Sequence, residues 1–402
     1  MKIHASLANA VIKSLEEIFI ANRKADKVLA ETLRSNPKWG SRDRGFIAEN
    51  TYEIVRWWRL LHFINGTEIN DYKSKTLWHL LGISIYLKTD EMPFMAEFNA
   101  INKDIIKSKY HQAQEIRKIK ESIPDWLDEL GVKELGEQLW TAEIAAMNEH
   151  APVALRANTL QNSREELRAF LSKDDIEVVD VQGLDDALYL DKRQNIFRTD
   201  AFKDGRFEVQ DPGSQLISTK LQVAPGTRVI DACAGAGGKS LHLAALMQNK
   251  GHIISLDIEQ WKLDELKKRA RRNKAHNIET RLIEGKVIKR LKDGADRLLL
   301  DVPCTGLGTL RRNPDAKWKL DPTFLSTIKQ VQKDILSQYA SMLRKEGLMV
   351  YATCSVLPSE GEEQVVDFLQ KNTNFELLEE QRTSPAKDGF DAFYMAVIKR
   401  NS

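Results

Sequence analysis

Two cysteines stand where nucleophilic chemistry is easiest to place. Cys304 follows the apolar run RLLLDVP and Cys354 ends the apolar run LMVYAT, while a carboxylate, Asp301, comes directly after three leucines. A lone buried cysteine usually serves as a small hydrophobe. Two of them at strand ends, beside a carboxylate that packing does not explain, point to a site. One thiolate can add to carbon 6 of a cytosine ring, which makes carbon 5 enamine-like and able to accept a methyl group. Carbon 5 must then lose its proton and the ring must expel the thiolate, a step that a second nearby group assists. Asp301 can hydrogen-bond the Watson–Crick edge of a base turned into the pocket. Lys239, with the helix start that follows a glycine-rich loop, can favour thiolate over thiol. Spacing alone leaves the two cysteines interchangeable in these roles.

That loop reads Asp231-Ala-Cys-Ala-Gly-Ala-Gly-Gly-Lys239-Ser240. Gly235, Gly237 and Gly238 let the backbone turn tightly and approach a ligand, although a purely structural turn has the same needs. No glycine stands at the Walker distance before Gly238-Lys239-Ser240, and the spacing departs from GxGxxG, which removes a dinucleotide-dependent dehydrogenase. Asp257 lies twenty-six residues after Asp231, where a carboxylate can accept both hydroxyls of a ribose, so a ribose-bearing cofactor is implied. Glu284 either accepts from an adenine amino group or stands as a surface carboxylate.

Elements must bring these residues together. From Phe207 onward the runs TRVIDACA, HIISLDI, TRLIEG, DRLLLDVPC and LMVYATCS are apolar and each is followed by a helical or loop stretch. Such alternation predicts an α/β domain with a mostly parallel sheet, helices on both faces and ligands outside the carboxyl ends of the strands. FELLEE and FYMAVIKR, joined by a short turn-rich link, are expected to add an antiparallel edge. Residues 151–206 alternate short strands (APVALRANTL, IEVVDV, ALYLD) with a helix, NSREELRAFLSK, opened by Asn162, and read as a small α+β subdomain. Residues 1–150 read as helical, with Leu7, Val11, Leu15 and Ile18 on one stripe and Ile47, Ile54, Trp58 and Leu61 on another. Ser41 is expected to cap the second of these helices and Pro124 to open a later one. The stretch INKDIIKSKYHQAQEIRKIK sets six Lys and Arg against two acids, as suited to a solvated helix face as to nucleic acid.

The 402-residue chain has 60 Lys+Arg against 58 Asp+Glu, a formal net charge of +2, so any nucleic-acid surface must come from local clustering. Its three cysteines, Cys233, Cys304 and Cys354, form no CxxC pair, which argues against structural zinc and against a secreted disulfide framework. No stretch approaches the ~18 apolar residues of a membrane span or the core of a signal peptide. A cytoplasmic, metal-free monomer is expected.

Taken together, FEVQDPGSQL, DACAGAGGKS, SLDIEQWKL, LLLDVPCTGLGTLRRNPDAKW, YATCSVLP and FYMAVIKR resemble the RNA 5-methylcytosine methyltransferases of the bacterial Fmu/Sun type, over essentially all of 207–400. The resemblance implies a Rossmann-like domain with a seven-stranded, mostly parallel sheet over 207–402 that acts with S-adenosylmethionine. It implies Cys354 as the nucleophile and Cys304 as the group that assists product release. DNA cytosine methyltransferases attack with the other cysteine, so the order of roles comes from the RNA family. The same resemblance gives the methionine part of the cofactor to Cys233, Ala234, Gly235, Ala236, Gly237, Gly238 and Lys239, the ribose to Asp257, the adenine neighbourhood to Glu284 and the reacting centre to Asp301.

Upstream, LRANTLQNSREELRAFL resembles the family's small RNA-recognition-like subdomain. ADKVLAETL and SRDRGFIAENTYEIVRWWR are similar to the helical NusB-like domain of its ribosomal-RNA members, which makes Arg42, Arg44, Arg56 and Arg59 candidates for phosphate contacts. The implied substrate is RNA, ribosomal RNA first and transfer RNA second. A non-catalytic RNA-binding or assembly factor is the rival reading; the presence of both cysteines with Lys239, Asp257 and Asp301 argues against it. The chain departs from the family pattern at three places. Ala236 replaces a usual proline, Glu284 replaces an aspartate, and Ser359-Glu360-Gly361 stands where Glu-Glu-Asn is usual. These bear on the rigidity of the cofactor loop, the adenine contact and the hold on the nucleophile's turn.

Overall fold

Leu7, Val11, Leu15 and Ile18 recur at helical spacing, and all four are buried on the inner stripe of the helix Ala5–Phe19. The computed structural model describes residues 3–402 and divides into two units, each with its own cores; the first is Met1–Glu149 with Thr309–Pro322. There the first stripe meets Ile47, Ile54, Trp58 and Leu61 in a single core. The second stripe runs across two helices, Ser41–Arg56 and Trp58–Asn65. Ser41 is already helical: Gly40 takes the cap position, and its N–H is satisfied by the Asp43 carboxylate at 3.0 Å. Pro124 stands immediately before the helix Asp125–Leu135. The segment Thr309–Pro322, which follows Cys304 in sequence, is fixed within this unit by side-chain bonds to backbone. Asp315 accepts from the Ala25 N–H at 3.0 Å, the Trp318 indole donates to the Val55 carbonyl at 2.7 Å, and Arg56 donates to the Arg311 carbonyl at 2.9 Å.

The second unit, His150–Gly308 with Thr323–Ser402, contains two sheets. Strands β1 (Ala154–Ala157), β2 (Val178–Asp180), β3 (Ala187–Leu190) and β4 (Phe207–Val209) form an antiparallel sheet of order β2-β3-β1-β4. The helix Arg164–Ser172 packs Leu167 and Leu171 into its core. Its cap is Ser163, one residue beyond Asn162: the Ser163 hydroxyl accepts from the Glu166 N–H while the Glu166 carboxylate accepts from the Ser163 N–H. Because β4 pairs with β1, the small sheet extends past residue 206.

The larger sheet consists of β5 (Arg228–Asp231), β6 (His252–Asp257), β7 (Ile278–Leu282), β8 (Ala295–Asp301), β9 (Leu343–Thr353), β10 (Phe375–Arg382) and β11 (Tyr394–Arg400). Its order is β10-β11-β9-β8-β5-β6-β7. Parallel pairing joins β9, β8, β5, β6 and β7, and β11 runs antiparallel to both β9 and β10. The final pair thus adds the expected antiparallel edge: β11 is the reversed strand, second from the edge, and β10, outermost, again runs with the others. The link between them is too short for a crossover, which forces the reversal. The buried residues Tyr394–Ile398 suit an interior strand, whereas the mixed, charged β10 suits an edge. Successive residues of the central strands feed opposite faces: Ile230, Ile254, Leu298 and Tyr351 one core, and Val229, Ile253, Leu299 and Val350 the other. Burial on both faces is why these strands read as unbroken apolar runs.

No described helix is long and apolar enough to cross a membrane. Among the described residues, no group of three or more His, Cys, Asp and Glu side chains is placed to hold a metal ion.

Candidate active site

Parallel pairing of β8 with β9 sets Asp301 opposite Ala352, so the turns that carry Cys304 and Cys354 leave the sheet side by side. Their sulfurs lie 3.2 Å apart. The turns are locked to one another, since the Gly308 N–H donates to the Cys354 carbonyl at 3.0 Å. A Cβ at Gly308 would stand 2.1 Å from the Ala392 carbonyl oxygen, so this approach admits only glycine. Arg382 donates to the Ser355 carbonyl at 2.6 Å and is itself clasped by Glu362 at 3.0 and 2.6 Å. The Cys304 thiol is pushed well above its usual range, first by its hydrogen bond with Cys354, then by burial and by the charges of Cys354 and Glu360. Cys304 thus holds its proton tightly.

Lys239 belongs to the first turn of the helix Gly238–Leu246 and reaches Asp301 Oδ2 at 2.5 Å. Burial works against its ammonium, but the charge and hydrogen bond of Asp301 outweigh that penalty, with help from Cys354 and Asp231, and the pKa is raised. A positive charge is therefore held at Asp301, close enough to interact with Cys354. Asp231, at the end of β5, is buried and accepts from the Ser240 hydroxyl at 2.6 Å. Burial pushes its pKa up to about 7, and the Asp301 charge adds to the rise, while the bond from Ser240 and the Lys239 charge oppose it.

Beyond the carboxyl ends of β5, β6 and β8 lies a cavity of about 240 Å³, lined by Cys233, Gly235, Asp257 and Asp301 and walled by Ile258, Ile283, Ile335 and Tyr339. Each Asp257 oxygen accepts one backbone N–H, from Gly235 and from Glu259, both at 2.9 Å. Each oxygen has capacity for a further donor, and Lys262 Nζ stands 3.7 Å from Oδ1. Gly237 adopts φ +87°, and a Cβ there would come within 2.3 Å of the Leu266 side chain, so the turn has an absolute need for glycine at that place. The neighbouring carbonyls are gripped from outside the loop. Arg269 donates to the Ala236 carbonyl at 2.8 Å and to Glu208 of β4 at 2.8 Å, and buried Arg156 of β1 donates to the Gly238 carbonyl at 2.9 Å. The small sheet thus holds the loop directly at Gly238, and at Ala236 through the Arg269 that its Glu208 binds.

Several candidates fall elsewhere. Glu284 is exposed, and its neighbour Ile283 lines the cavity instead. Among the four arginines of the helical unit, Arg56 is buried at 3% exposure, donating to the Met147 and Arg311 carbonyls. Arg44 binds the carbonyls of Trp39, Leu33 and Asn36, and Arg59 binds the Ile123 carbonyl and Asp125. These three guanidinium groups all hydrogen-bond backbone carbonyls of the helical unit, whereas Arg42 is exposed. In the basic stretch, Arg117 pairs with Asp128 and Glu137, and Lys118 with Asp125, so those two charges are met locally. Sequence reasoning missed Arg156, Glu208 and Arg269. The available signal was an acid, Glu208, inside the apolar start of FEVQDPGSQL, the same kind of anomaly that singled out Asp301.

The family model for the 16S rRNA methyltransferase RsmB/F matches residues 218–399, and that for the RsmF/B-like ferredoxin-like domain matches residues 123–197. The protein from Synechocystis sp. named "Probable ribosomal RNA small subunit methyltransferase B" is 34% identical over 66% of this chain and 60% of its own length. The chain thus spans less than two thirds of that relative. The crystal structure of PH0851 superposes with a TM-score of 0.83 at 22% identity, covering 100% of both chains. A methyltransferase homologue from Pyrococcus horikoshii superposes with a TM-score of 0.63 at 25% identity, covering 71% of this chain and 98% of the other. The sheet order, the cavity at its carboxyl ends and these matches agree. Residues 123–197 and 218–399 are thus the ferredoxin-like and methyltransferase domains of the RsmB/F methyltransferase family.

Proposed function

We propose that this protein transfers a methyl group from S-adenosylmethionine to carbon 5 of a cytosine in ribosomal RNA, with Cys354 as nucleophile and Cys304 assisting release. The observation that carries the proposal is the pair of sulfurs 3.2 Å apart at the ends of adjacent parallel strands, next to the Lys239–Asp301 pair. In this reading residues 1–150 and 151–206 serve RNA binding, and the large sheet holds the chemistry.

The cavity suits the cofactor. Its apolar walls fit a purine, the remaining acceptor capacity of Asp257 fits a ribose diol, and the loop from Cys233 to Lys239 offers backbone to the methionine part. When bound, S-adenosylmethionine supplies an electrophilic methyl group. Asp301 and Lys239 orient the Watson–Crick edge of an extruded base. Cys354, as its thiolate, bonds to carbon 6. After methylation a water molecule takes the proton from carbon 5, the electrons of that C–H bond form the 5,6 double bond, the carbon 6–sulfur bond breaks, and its electron pair returns to Cys354. Cys304, which keeps its proton at rest, is positioned to move a proton at the departing sulfur.

Incubation with ribosomal RNA and labelled cofactor, followed by mass mapping of 5-methylcytosine, tests the reading. Replacing Cys354→Ala should cut methyl transfer by on the order of 10³-fold or more, as expected for loss of an attacking group. Transfer at an undiminished rate would exclude Cys354 as nucleophile.

A further inference from the structure

Glu360 is fully buried, and its carboxylate bridges the two cysteine turns. Oε1 accepts from the Thr305 N–H and from the Gln332 side-chain amide, both at 2.9 Å. Oε2 accepts from the Thr305 hydroxyl at 2.5 Å and from the Ser355 hydroxyl. Gln332 also donates to the Pro303 carbonyl at 3.0 Å. The residues on both sides of Cys304, and the one after Cys354, therefore hang from a single carboxylate. Glu360 is in turn anchored, since the Tyr351 hydroxyl donates to its carbonyl at 2.9 Å. Burying a carboxylate is costly even when fully hydrogen-bonded, and an apolar side chain of similar volume fills a core at least as well. Three of its four bonds go to the two turns that carry sulfur, and the fourth to Gln332, which itself holds the Pro303 carbonyl, so its use lies there.

We infer that Glu360 is a positioning residue that sets the separation between the sulfurs of Cys304 and Cys354, and through it the speed of product release. The inference rests on the reading that the two thiols act in succession on one base, but the separation itself can be read without catalysis.

The test uses the full-length protein and the variants Glu360→Ala and Glu360→Gln. Glutamine keeps an oxygen for the Thr305 N–H and Gln332, and its amide can donate to the two hydroxyls, so every partner stays satisfied. The separation is read from the rate at which diamide joins Cys304 to Cys354. The oxidant takes two protons and two electrons as the sulfur–sulfur bond forms, and peptide mapping by mass spectrometry identifies the link. Wild type and Glu360→Gln should cross-link at rates within about threefold of each other, and Glu360→Ala about tenfold or more slowly, because thiol exchange and oxidation depend steeply on approach. During turnover with RNA and S-adenosylmethionine, Glu360→Ala should accumulate a covalent protein–RNA species and lose kcat, with cofactor Kd unchanged. A role confined to general stability would leave the ratio of adduct to product where it is.

Cross-linking of Glu360→Ala at the wild-type rate overturns the inference, as does an equal loss in the glutamine variant. Should Glu360→Ala fail to fold, Ser355→Ala removes one bridging hydroxyl. It should slow cross-linking by about threefold, and an unchanged rate overturns the inference equally. If the cross-linking rates follow expectation while even the wild type leaves RNA unmethylated, the positional role of Glu360 stands and the functional reading fails.

Discussion

Burial makes the Asp231 proton harder to remove than that of an ordinary carboxyl group. Its pKa in the folded protein, about 7, lies above the ordinary 3.8, so between those values the native state holds a proton that the unfolded chain releases. Stability from this group is therefore present below pH ~4, falls as pH rises towards ~7 and stays low beyond it. Asp231→Asn keeps an acceptor for Ser240 and removes the titration. Relative to wild type, it should gain on the order of 1–4 kcal/mol at pH 8 and nothing at pH 4. Thermal denaturation across that range checks this, and parallel pH curves for the two proteins would contradict it. At this scale Asp301, Cys304 and Cys354 were legible in the sequence because polar groups at the end of leucine-rich strands have no packing explanation. Glu360 was visible only as the one retained acid of a motif that departs on both sides of it, at Ser359 and Gly361. A carboxylate in a turn looks solvated until the fold closes four donors around it.

At the scale of elements, the cofactor loop shows what spacing conveys and what it omits. Gly237 was identifiable as a turn residue, and its φ of +87° together with the close approach of Leu266 gives the reason. The grip of Arg269 on the Ala236 carbonyl was hidden, since a helix reading KKRARRN offers several equivalent arginines and only the three-dimensional pairing with Glu208 selects two of them, Arg269 and Arg272. Arg269→Ala should weaken S-adenosylmethionine binding by about tenfold, the worth of one charge-assisted bond. Calorimetry checks this; a Kd within about twofold of wild type would mean that the loop holds its shape alone. Strand direction shows a similar limit. The short link before β11 implied a reversal, but which strand reached the edge depended on β9 offering β11 its free side, a tertiary fact.

Across the whole molecule, the division into a helical unit and an α/β unit was readable from texture, because apolar spacing changes from helical to strand-like after His150. The fate of Thr309–Pro322 was not. This stretch follows Cys304 directly, yet Leu310, Asp315 and Lys317 are buried and the segment groups with the helices of the first unit. Apolar and charged residues in a loop do not announce which core receives them. The central claim, that two thiols act in sequence on one cytosine, is tested most directly by the Cys304→Ala protein incubated with ribosomal RNA and S-adenosylmethionine and run on a denaturing gel. A covalent protein–RNA band should accumulate that is absent both from wild type and from Cys304→Ala combined with Cys354→Ala. Free methylated RNA released by Cys304→Ala at the wild-type rate, with no such band, would contradict the account.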